Sequence, residues 1–272
     1  MTENIRTKAD FDQARITLLD LDSRIGPFSP STWKTRYALN FKGIQFNTLL
    51  VDFVDIEPLC KRIGAEPAIR VRKPGSDEET VIYTLPVIYD PNTGRTVSES
   101  LAIAEYLDET YPAPTYPALV RPGTRAFTRA LLTAIDTSPK AMAPLYPFII
   151  PATFVHVHDR SKAYFRATRE LQFGMKLEEI TPRGADRAEA WERVEMGFNM
   201  IAGWYRGSKW IMEDEPCYAD LVVAAFLMWV RKVFGESSTE WRDVKKWNNG
   251  KWERHMEACM AYEDSSERSV TN

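Results

Sequence analysis

Hydrophobic and polar residues along the first third of the chain predict a mixed α/β unit. Short apolar runs at 16–21 and 44–51 predict strands. A helix is predicted from Trp33 to Lys42, since hydroxyls and a proline precede it and a glycine follows it. We then expect a short helix at 55–63 and an ordered insertion loop over the rest of 54–80. Two strands, 81–90 and 95–97, flank a Pro-Asn-Thr-Gly turn, and Ser98 is expected to cap a helix that ends at Thr110.

The remainder of the chain is patterned as helices behind a proline-rich segment at 112–123. Helices are predicted at 124–137, 159–176, 185–206, 217–234 and 250–262, and the apolar one at 217–234 should occupy the centre of its domain. The apolar stretch 139–151 contains too many prolines for one straight helix. The predicted organisation is therefore a polar arm (1–15), an α/β domain (16–111), a linker (112–123), an all-α domain (124–262) and a polar tail (263–272).

Composition and charge exclude several classes of function. The 272 residues are 44% hydrophobic and carry a net charge of −3, so the chain can bury a core and does not favour nucleic acid as a partner. The longest apolar run, 221–230, is too short to span a membrane, and the first ten residues lack the apolar segment of a signal peptide. Three widely spaced cysteines indicate reduced thiols and a cytoplasmic protein, and no histidine spacing indicates a metal site.

The first segment with candidate chemistry is the start of the helix after Ser29. Free backbone N–H groups and the helix dipole favour an anion there, and a serine hydroxyl can donate a hydrogen bond to a thiolate. Such a charge-assisted bond contributes about 1.5–3 kcal/mol, and lowering a thiol pKa by two units needs about 2.7 kcal/mol. No cysteine lies in the segment, so the thiol must belong to a bound ligand. The alternative for this segment alone is an ordinary helix cap.

Two further segments carry groups that suit a peptide-like ligand. Proline at position 86 inside a strand-like run indicates either a cis Leu85–Pro86 bond or an edge strand, and a cis bond would leave the Val87 backbone free to pair with an extended peptide. Glu99 and Ser100 begin another helix and suit an ammonium and a carboxylate, although they too could be a simple cap. Each of the three segments alone could be a simple cap or edge strand. Their occurrence together, in this order along the chain, is harder to explain in that way.

In this order the three segments resemble the glutathione transferase family. The matching motifs are Ser29-Pro30, Leu85-Pro86-Val87-Ile88 and the run 99–107, Glu-Ser-Leu-Ala-Ile-Ala-Glu-Tyr-Leu. The run 28–40 is most similar to the fungal etherase-related (FuA) class, whose members are similar to bacterial glutathione-dependent enzymes that cleave β-aryl ethers of lignin. The resemblance implies a thioredoxin-like domain followed by an α-helical bundle domain, with glutathione as co-substrate and a homodimeric assembly.

The resemblance also implies roles for individual residues. Ser29 would activate the glutathione thiol, Val87 would pair with the cysteinyl moiety, and Glu99 with Ser100 would hold the γ-glutamyl end. The full set of glutathione-binding residues implied is Ser31, Thr32, Trp33, Leu85, Pro86, Val87, Glu99 and Ser100. If Ser29 faces away from the thiol, Ser31 is the next candidate.

Two positions depart from the family pattern. Thr84 stands where a lysine often binds the glycine carboxylate, which leaves Arg70, Arg72 and Lys73 as unassigned candidates for that role. Cys217 replaces the serine or threonine that usually precedes Asp220, and we expect Asp220 to act in folding only.

The acceptor substrate is expected in an apolar cleft, where binding sites generally form. Tyr146, Phe148 and Phe154 are its candidate lining, with Trp33 opposite, although core packing is the better explanation for any one of them. The predicted activity is glutathione transfer to electrophilic aromatic or lignin-derived molecules, as in detoxification of xenobiotics. The alternatives are a ligandin that binds phenolic compounds in the same cleft and an interaction protein that has lost the chemistry. A thiol-disulfide reductase is disfavoured because Ser29 occupies the position of the cysteine nucleophile.

Overall fold

The computed structural model describes residues 6–72 and 79–263, which divide into two units. The first unit contains the described residues up to Leu119 and returns at Tyr262, whereas the second unit comprises Val120–Ala261. The first five residues of the expected polar arm, Lys73 and all but Glu263 of the expected tail lie outside the described residues. An α/β unit followed by an all-α unit confirms the predicted fold class.

The strands lie in the first unit, and helices make up most of the second. The strands are β1 (Ile16–Leu21), β2 (Phe46–Val51), β3 (Ile69–Arg72), β4 (Glu79–Ile82), β5 (Val87–Asp90) and β6 (Arg95–Ser98). The helices of the first unit are α1 (Pro30–Phe41), α2 (Ile56–Ile63) and α3 (Ser100–Thr110). Those of the second unit are α4 (Arg125–Thr137), α5 (Tyr146–Thr153), α6 (Asp159–Phe173), α7 (Leu177–Ile180), α8 (Gly184–Trp204), α9 (Tyr218–Phe234) and α10 (Thr239–Cys259).

A four-stranded mixed sheet with the order β2-β1-β5-β6 forms the centre of the first unit. Strand β1 pairs in parallel with β2 and antiparallel with β5, which in turn pairs antiparallel with β6. All six residues of β1 are buried, because an interior strand between two others is covered on both faces. Strand β5 is also interior, so the proline before it does not mark an edge strand. The Leu85–Pro86 bond is cis, as predicted.

Three predictions in the first unit are corrected. The expected insertion loop contains an antiparallel hairpin, in which β3 pairs with β4 and Ile69 lies opposite Ile82. This hairpin takes up the beginning of the strand predicted at 81–90, and the following strand starts only at Val87 after the cis bond. The cap of α3 is Glu99 rather than Ser98, because the Glu99 carboxylate accepts hydrogen bonds from the first backbone N–H groups of the helix.

Helix α9 has the central place in the second unit that its composition predicted. Fourteen of its 17 residues are buried. At its start Asp220 accepts hydrogen bonds from the backbone N–H groups of Cys217 (2.9 Å) and Ile211 (2.9 Å), and the Cys217 thiol lies 3.2 Å from the same carboxylate. Cys217 therefore takes part in a capping box despite its weak capping chemistry, and Asp220 has the folding role expected of it.

The last helix differs most from the prediction of a helix at 250–262. Helix α10 begins at Thr239, where the Ser238 hydroxyl accepts a hydrogen bond of 3.0 Å from the N–H of Trp241. It is interrupted at 247–250, where Asn248, Asn249 and Gly250 adopt left-handed backbone angles before the helix resumes. Such residues normally end a helix, which is why the sequence pattern did not predict one helix that continues across 247–250. The 139–151 stretch is a 3₁₀ turn at 143–145 followed by α5, which agrees with the exclusion of one straight helix.

Candidate functional site

The three segments singled out in the sequence connect to the same end of the central sheet. In the register of the strands, Leu19 of β1 lies opposite Val87 of β5, and Val87 lies opposite Ser98 of β6. Residues at the carboxyl end of β1, the amino end of β5 and the carboxyl end of β6 thus form one row across the sheet. The loop toward Ser29, the cis-proline and Glu99 all connect to the sheet at this row. The expected grouping of the three segments follows from this topology.

Ser29 is the N-cap residue of α1 but does not use its side chain as a cap. Its backbone is extended (φ −62°, ψ 128°), Pro30 occupies the first helical position, and its hydroxyl makes no capping hydrogen bond. Its carbonyl accepts hydrogen bonds from the Trp33 backbone N–H (3.0 Å) and the Thr32 hydroxyl (3.1 Å). The residue is half-buried. A hydroxyl that the helix does not use, at the positive end of a 12-residue helix, is suited to donate to an anion.

Thr32 and Trp33, predicted to bind glutathione, are buried near the start of α1. Thr32 is fully buried and its hydroxyl donates to the Ser29 carbonyl. Trp33 is 7% exposed, and its indole Nε1–H donates to the carbonyl of Pro27 over 3.0 Å. The Thr32 hydroxyl and the Trp33 indole N–H are therefore both used in hydrogen bonds inside the first unit. Ser31, half-buried in the first helical turn, is the neighbouring hydroxyl that is at least partly accessible.

The strand register changes which residue beside the cis bond has a free backbone. The Glu99 N–H donates to the Pro86 carbonyl (3.3 Å), so Val87 and Ser98 are a non-hydrogen-bonded pair, and the Val87 backbone groups point toward β1. Val87 is fully buried between two strands. Leu85 lies before the cis bond and belongs to no strand. The Val87 backbone is therefore occupied by the pairing with β1, whereas Leu85 lies outside the strand pairing.

Glu99 holds the start of α3 from an unusual backbone conformation. Its φ is 77°, in the region that side chains rarely adopt. One carboxylate oxygen accepts from the N–H groups of Leu101 and Ala102 at 3.0 Å each, and the other accepts from the Ser100 hydroxyl at 3.1 Å. A carboxylate has about four acceptor positions, so these three bonds leave capacity for an ammonium group. Ser100 is buried, with 7% of its surface exposed.

Three basic residues of the insertion were candidates to bind the glycine carboxylate of glutathione, and only Arg70 has a described side chain. Arg70 forms an exposed ion pair with Glu66, in which Nη2 lies 2.6 Å from Oε2. Lys73 and the side chain of Arg72 lie outside the part of the chain that the structure describes. Among the described residues, no cluster of three or more His, Cys, Asp or Glu side chains could hold a metal ion.

The three aromatic residues proposed for the acceptor pocket have packing partners within the helical unit. Phe148 is 3% exposed and packs edge-on against Trp191 with ring centres 5.0 Å apart. The Tyr146 hydroxyl donates to the Asp136 carbonyl (3.2 Å), and Phe154 packs against Phe165. Cavities of about 280 and 510 Å³ in this unit are lined by other residues. The core alternative therefore describes Phe148 best.

All three cysteines are buried, and none forms a disulfide, in agreement with the reduced thiols that the sequence predicted. Cys60, Cys217 and Cys259 are all free. Burial raises the pKa of the Cys60 thiol to about 11. Burial, together with the neighbouring Asp220 carboxylate, raises the pKa of Cys217 to about 12. A thiolate nucleophile from either of these residues is thus strongly disfavoured at neutral pH. No helix in the described ranges combines the length and apolar character that a membrane crossing requires.

Comparison with known proteins assigns both units to one family. Residues 28–110 match the glutathione S-transferase N-terminal domain, and residues 126–262 match the glutathione S-transferase C-terminal domain. The chain is 29% identical over 248 residues to the glutathione S-transferase-like protein ustS of Aspergillus flavus, a match that covers 86% of this chain and 84% of the relative.

Solved structures of fungal enzymes are similar over nearly the whole chain. Glutathione S-transferase CsGST63524 of Ceriporiopsis subvermispora, in complex with glutathione, has 39% sequence identity and a TM-score of 0.85, covering 92% of this chain and 98% of that one. Glutathione transferase GSTFuA3 of Phanerochaete chrysosporium has 37% identity and a TM-score of 0.82, with coverages of 93% and 98%. The chain belongs to the glutathione transferase family, and its similarity to the FuA enzymes confirms the class that the motifs around Ser29 indicated.

Proposed function

We propose that this glutathione transferase uses the Ser29 hydroxyl to stabilise the thiolate of glutathione. The observation that carries the proposal is the position of Ser29, at the amino end of α1 with a hydroxyl that makes no capping bond. Related enzymes were solved in complex with glutathione, which supports the same co-substrate here. Glutathione would lie along the row at the sheet end, with its cysteinyl backbone at Leu85 and its γ-glutamyl ammonium at Glu99.

The reaction follows from the chemistry of the thiolate. The sulfur attacks an electrophilic carbon of an aromatic small molecule, a C–S bond forms, and the leaving group departs with the bonding electron pair. For a lignin-derived β-aryl ether, the C–O bond breaks and the phenolate that leaves takes a proton from water. The aromatic acceptor, and the cytoplasmic homodimer active in detoxification, are what the sequence resemblance to the fungal etherase-related class implies.

The proposal is tested by measuring the pKa of the glutathione thiol in the binary complex. The titration is monitored through the ultraviolet absorbance of the thiolate. A charge-assisted hydrogen bond contributes about 1.5–3 kcal/mol, and one pKa unit corresponds to about 1.4 kcal/mol. Ser29→Ala should therefore raise the thiol pKa by about one to two units. The turnover of 1-chloro-2,4-dinitrobenzene at neutral pH should fall about 10- to 100-fold, and circular dichroism should be unchanged.

Ser31→Ala is the matched comparison, because it removes a hydroxyl two residues away in the same helical turn. It should leave the thiol pKa unchanged. An effect of Ser31→Ala without an effect of Ser29→Ala would transfer the role to Ser31. If glutathione is not consumed while a phenolic ligand still binds with saturation, the ligandin alternative describes the protein instead.

A further inference from the structure

The Trp33 side chain holds the backbone on which the Ser29 hydroxyl stands. Its indole Nε1–H donates to the Pro27 carbonyl over 3.0 Å, two residues before Ser29. Its backbone N–H donates to the Ser29 carbonyl, also over 3.0 Å. Trp33 is therefore hydrogen-bonded to two backbone carbonyl groups of the segment that carries the Ser29 hydroxyl, those of Pro27 and Ser29. Since the side chain is 7% exposed, the indole N–H has been withdrawn from water to make this bond.

The indole is itself held between two neighbours on α1. The Arg36 guanidinium lies over the Trp33 ring at 5.4 Å, and the ring of Tyr37 packs at 5.2 Å. Arg36 is 3% exposed, and its Nη2 lies 2.8 Å from Oδ2 of Asp20, a fully buried residue of β1. The same nitrogen also lies 3.2 Å from the Thr48 hydroxyl on β2. These contacts connect the loop that carries Ser29 to strands β1 and β2.

We infer that Trp33 is a positioning residue for the thiolate-stabilising hydroxyl, an inference that rests on the proposed function of Ser29. The backbone of 27–29 sets where the Ser29 side chain begins, and a hydrogen bond weakens steeply as its angle departs from linearity. When the indole bond is absent, the loop gains freedom and the donor spends less time aligned with the sulfur. Trp33 then acts on the thiol through Ser29, without touching glutathione.

Trp33→Phe keeps an aromatic ring in the stack and removes the N–H donor. We expect the pKa of the bound glutathione thiol to rise by about 0.5 to 1 unit, about a 3- to 10-fold loss of thiolate at neutral pH. The pH profile of kcat should shift to higher pH by the same amount, while kcat at high pH recovers. The KM for glutathione should change less than twofold, because the contacts at Leu85 and Glu99 are unchanged.

Trp252→Phe is the matched control. Its indole Nε1–H donates to the Asn248 side-chain oxygen over 2.8 Å, and its side chain is fully buried in the helical unit. This substitution removes a buried indole hydrogen bond of similar length, and it should lower the unfolding midpoint without shifting the thiol pKa. A purely structural role for Trp33 predicts the same behaviour in Trp33→Phe, which would overturn the inference.

If Trp33→Phe does not fold, benzothienylalanine placed at position 33 removes the N–H at nearly constant shape. The same pKa shift is then expected, and its absence contradicts the inference. Ser29→Ala distinguishes this failure from that of the proposed function, which falls if Ser29→Ala leaves the thiol pKa unchanged. In the Ser29→Ala background, Trp33→Phe should add no further shift, and a full additional shift would show that Trp33 does not act through Ser29.

Discussion

Lys42, at the end of α1, forms an ion pair with Asp108 of α3, in which Nζ lies 2.7 Å from Oδ1. The Lys42 side chain is fully buried and Asp108 is 17% exposed. The lysine also donates to the Pro117 carbonyl (2.9 Å), and the carboxylate accepts from the Leu119 N–H (3.0 Å). This pair thereby fastens the proline-rich segment after α3 to the helix that begins at the candidate site.

Lys42→Met should destabilise the first unit strongly. The substitution keeps most of the apolar stem but leaves the Asp108 carboxylate without its cation. Removing one partner of a buried ion pair costs about 3 kcal/mol at the lower end of the usual range, which applies here because Asp108 is 17% exposed. Urea unfolding should show this loss. Lys61→Met, which removes an exposed lysine paired with Glu57 at 2.5 Å, is the control and should change stability by less than about 0.5 kcal/mol. Equal losses in both variants would contradict this account of the buried pair.

Glu99→Gln should weaken glutathione binding without slowing the chemical step. The amide oxygen still caps α3, but the charge that would pair with the γ-glutamyl ammonium is gone. A bond to an ionised group exceeds a neutral one by about 1 kcal/mol, so the KM for glutathione should rise about fivefold at unchanged kcat. Glu109→Gln, at an exposed position near the end of the same helix, should leave KM unchanged. A fall in kcat with Glu99→Gln would place this carboxylate closer to the thiol than we propose.

His255 should make the helical unit less stable in mild acid. Burial lowers its pKa, although its hydrogen bond to the Asp220 carbonyl (3.0 Å) opposes the shift. Because the folded pKa lies below the usual 6.5, the unfolded chain binds the proton more readily. The contribution to stability is complete above pH 6.5 and is lost as the pH falls toward the folded pKa, at up to about 1.4 kcal/mol per pH unit.

His255→Gln tests this dependence, since glutamine keeps a donor for the carbonyl and does not titrate. Urea midpoints measured at about pH 7.5 and about pH 5.5 should differ less in the variant than in the natural protein. Carboxylates titrate in both proteins and cancel in the comparison. Identical pH dependence in the two proteins would rule out His255 as the titrating group.

The cysteines should be unreactive in the folded protein. Burial raises the pKa of Cys60 to about 11 and that of Cys217 to about 12, so the thiolate fraction of either residue at neutral pH is very small. Ellman's reagent should therefore modify the native protein slowly and all three cysteines rapidly in urea. Rapid modification of a native thiol would reopen the thiol-disulfide reductase alternative.

The sequence pattern predicted the elements that local residues determine. β1 was predicted at its observed bounds, because a buried interior strand leaves a mostly apolar run, here interrupted by Thr17 and Asp20. The proline-led start of α1 was visible from Ser29 onward. The β3–β4 hairpin was missed because its two strands are only four residues each and lie in a segment interrupted by prolines and glycine. The continuity of α10 was missed because Asn249 and Gly250 normally end a helix, whereas here the helix resumes after them.

At the candidate site, residue identity was easier to predict than orientation. The motifs predicted one group of Ser29, the cis-proline and Glu99, and the strand register places the strand ends next to these segments at one end of the sheet. Whether a side chain faces the ligand or the core depends on long-range packing, so the inward hydrogen bonds of Trp33 were not visible in the sequence. The shift from Val87 to Leu85 likewise required the pairing of β5 with both of its neighbours.

The return of the chain to the first unit at Tyr262 has a consequence for biosynthesis. The Tyr262 carbonyl accepts a hydrogen bond of 2.8 Å from the Asn40 side chain, and its ring packs against Phe41 at 5.3 Å. A ribosome makes α1 early and Tyr262 only after every helix of the second unit has been translated. Helix α1, whose N-cap is Ser29, therefore emerges without one of its native neighbours and acquires it only after the helices of the second unit have been translated.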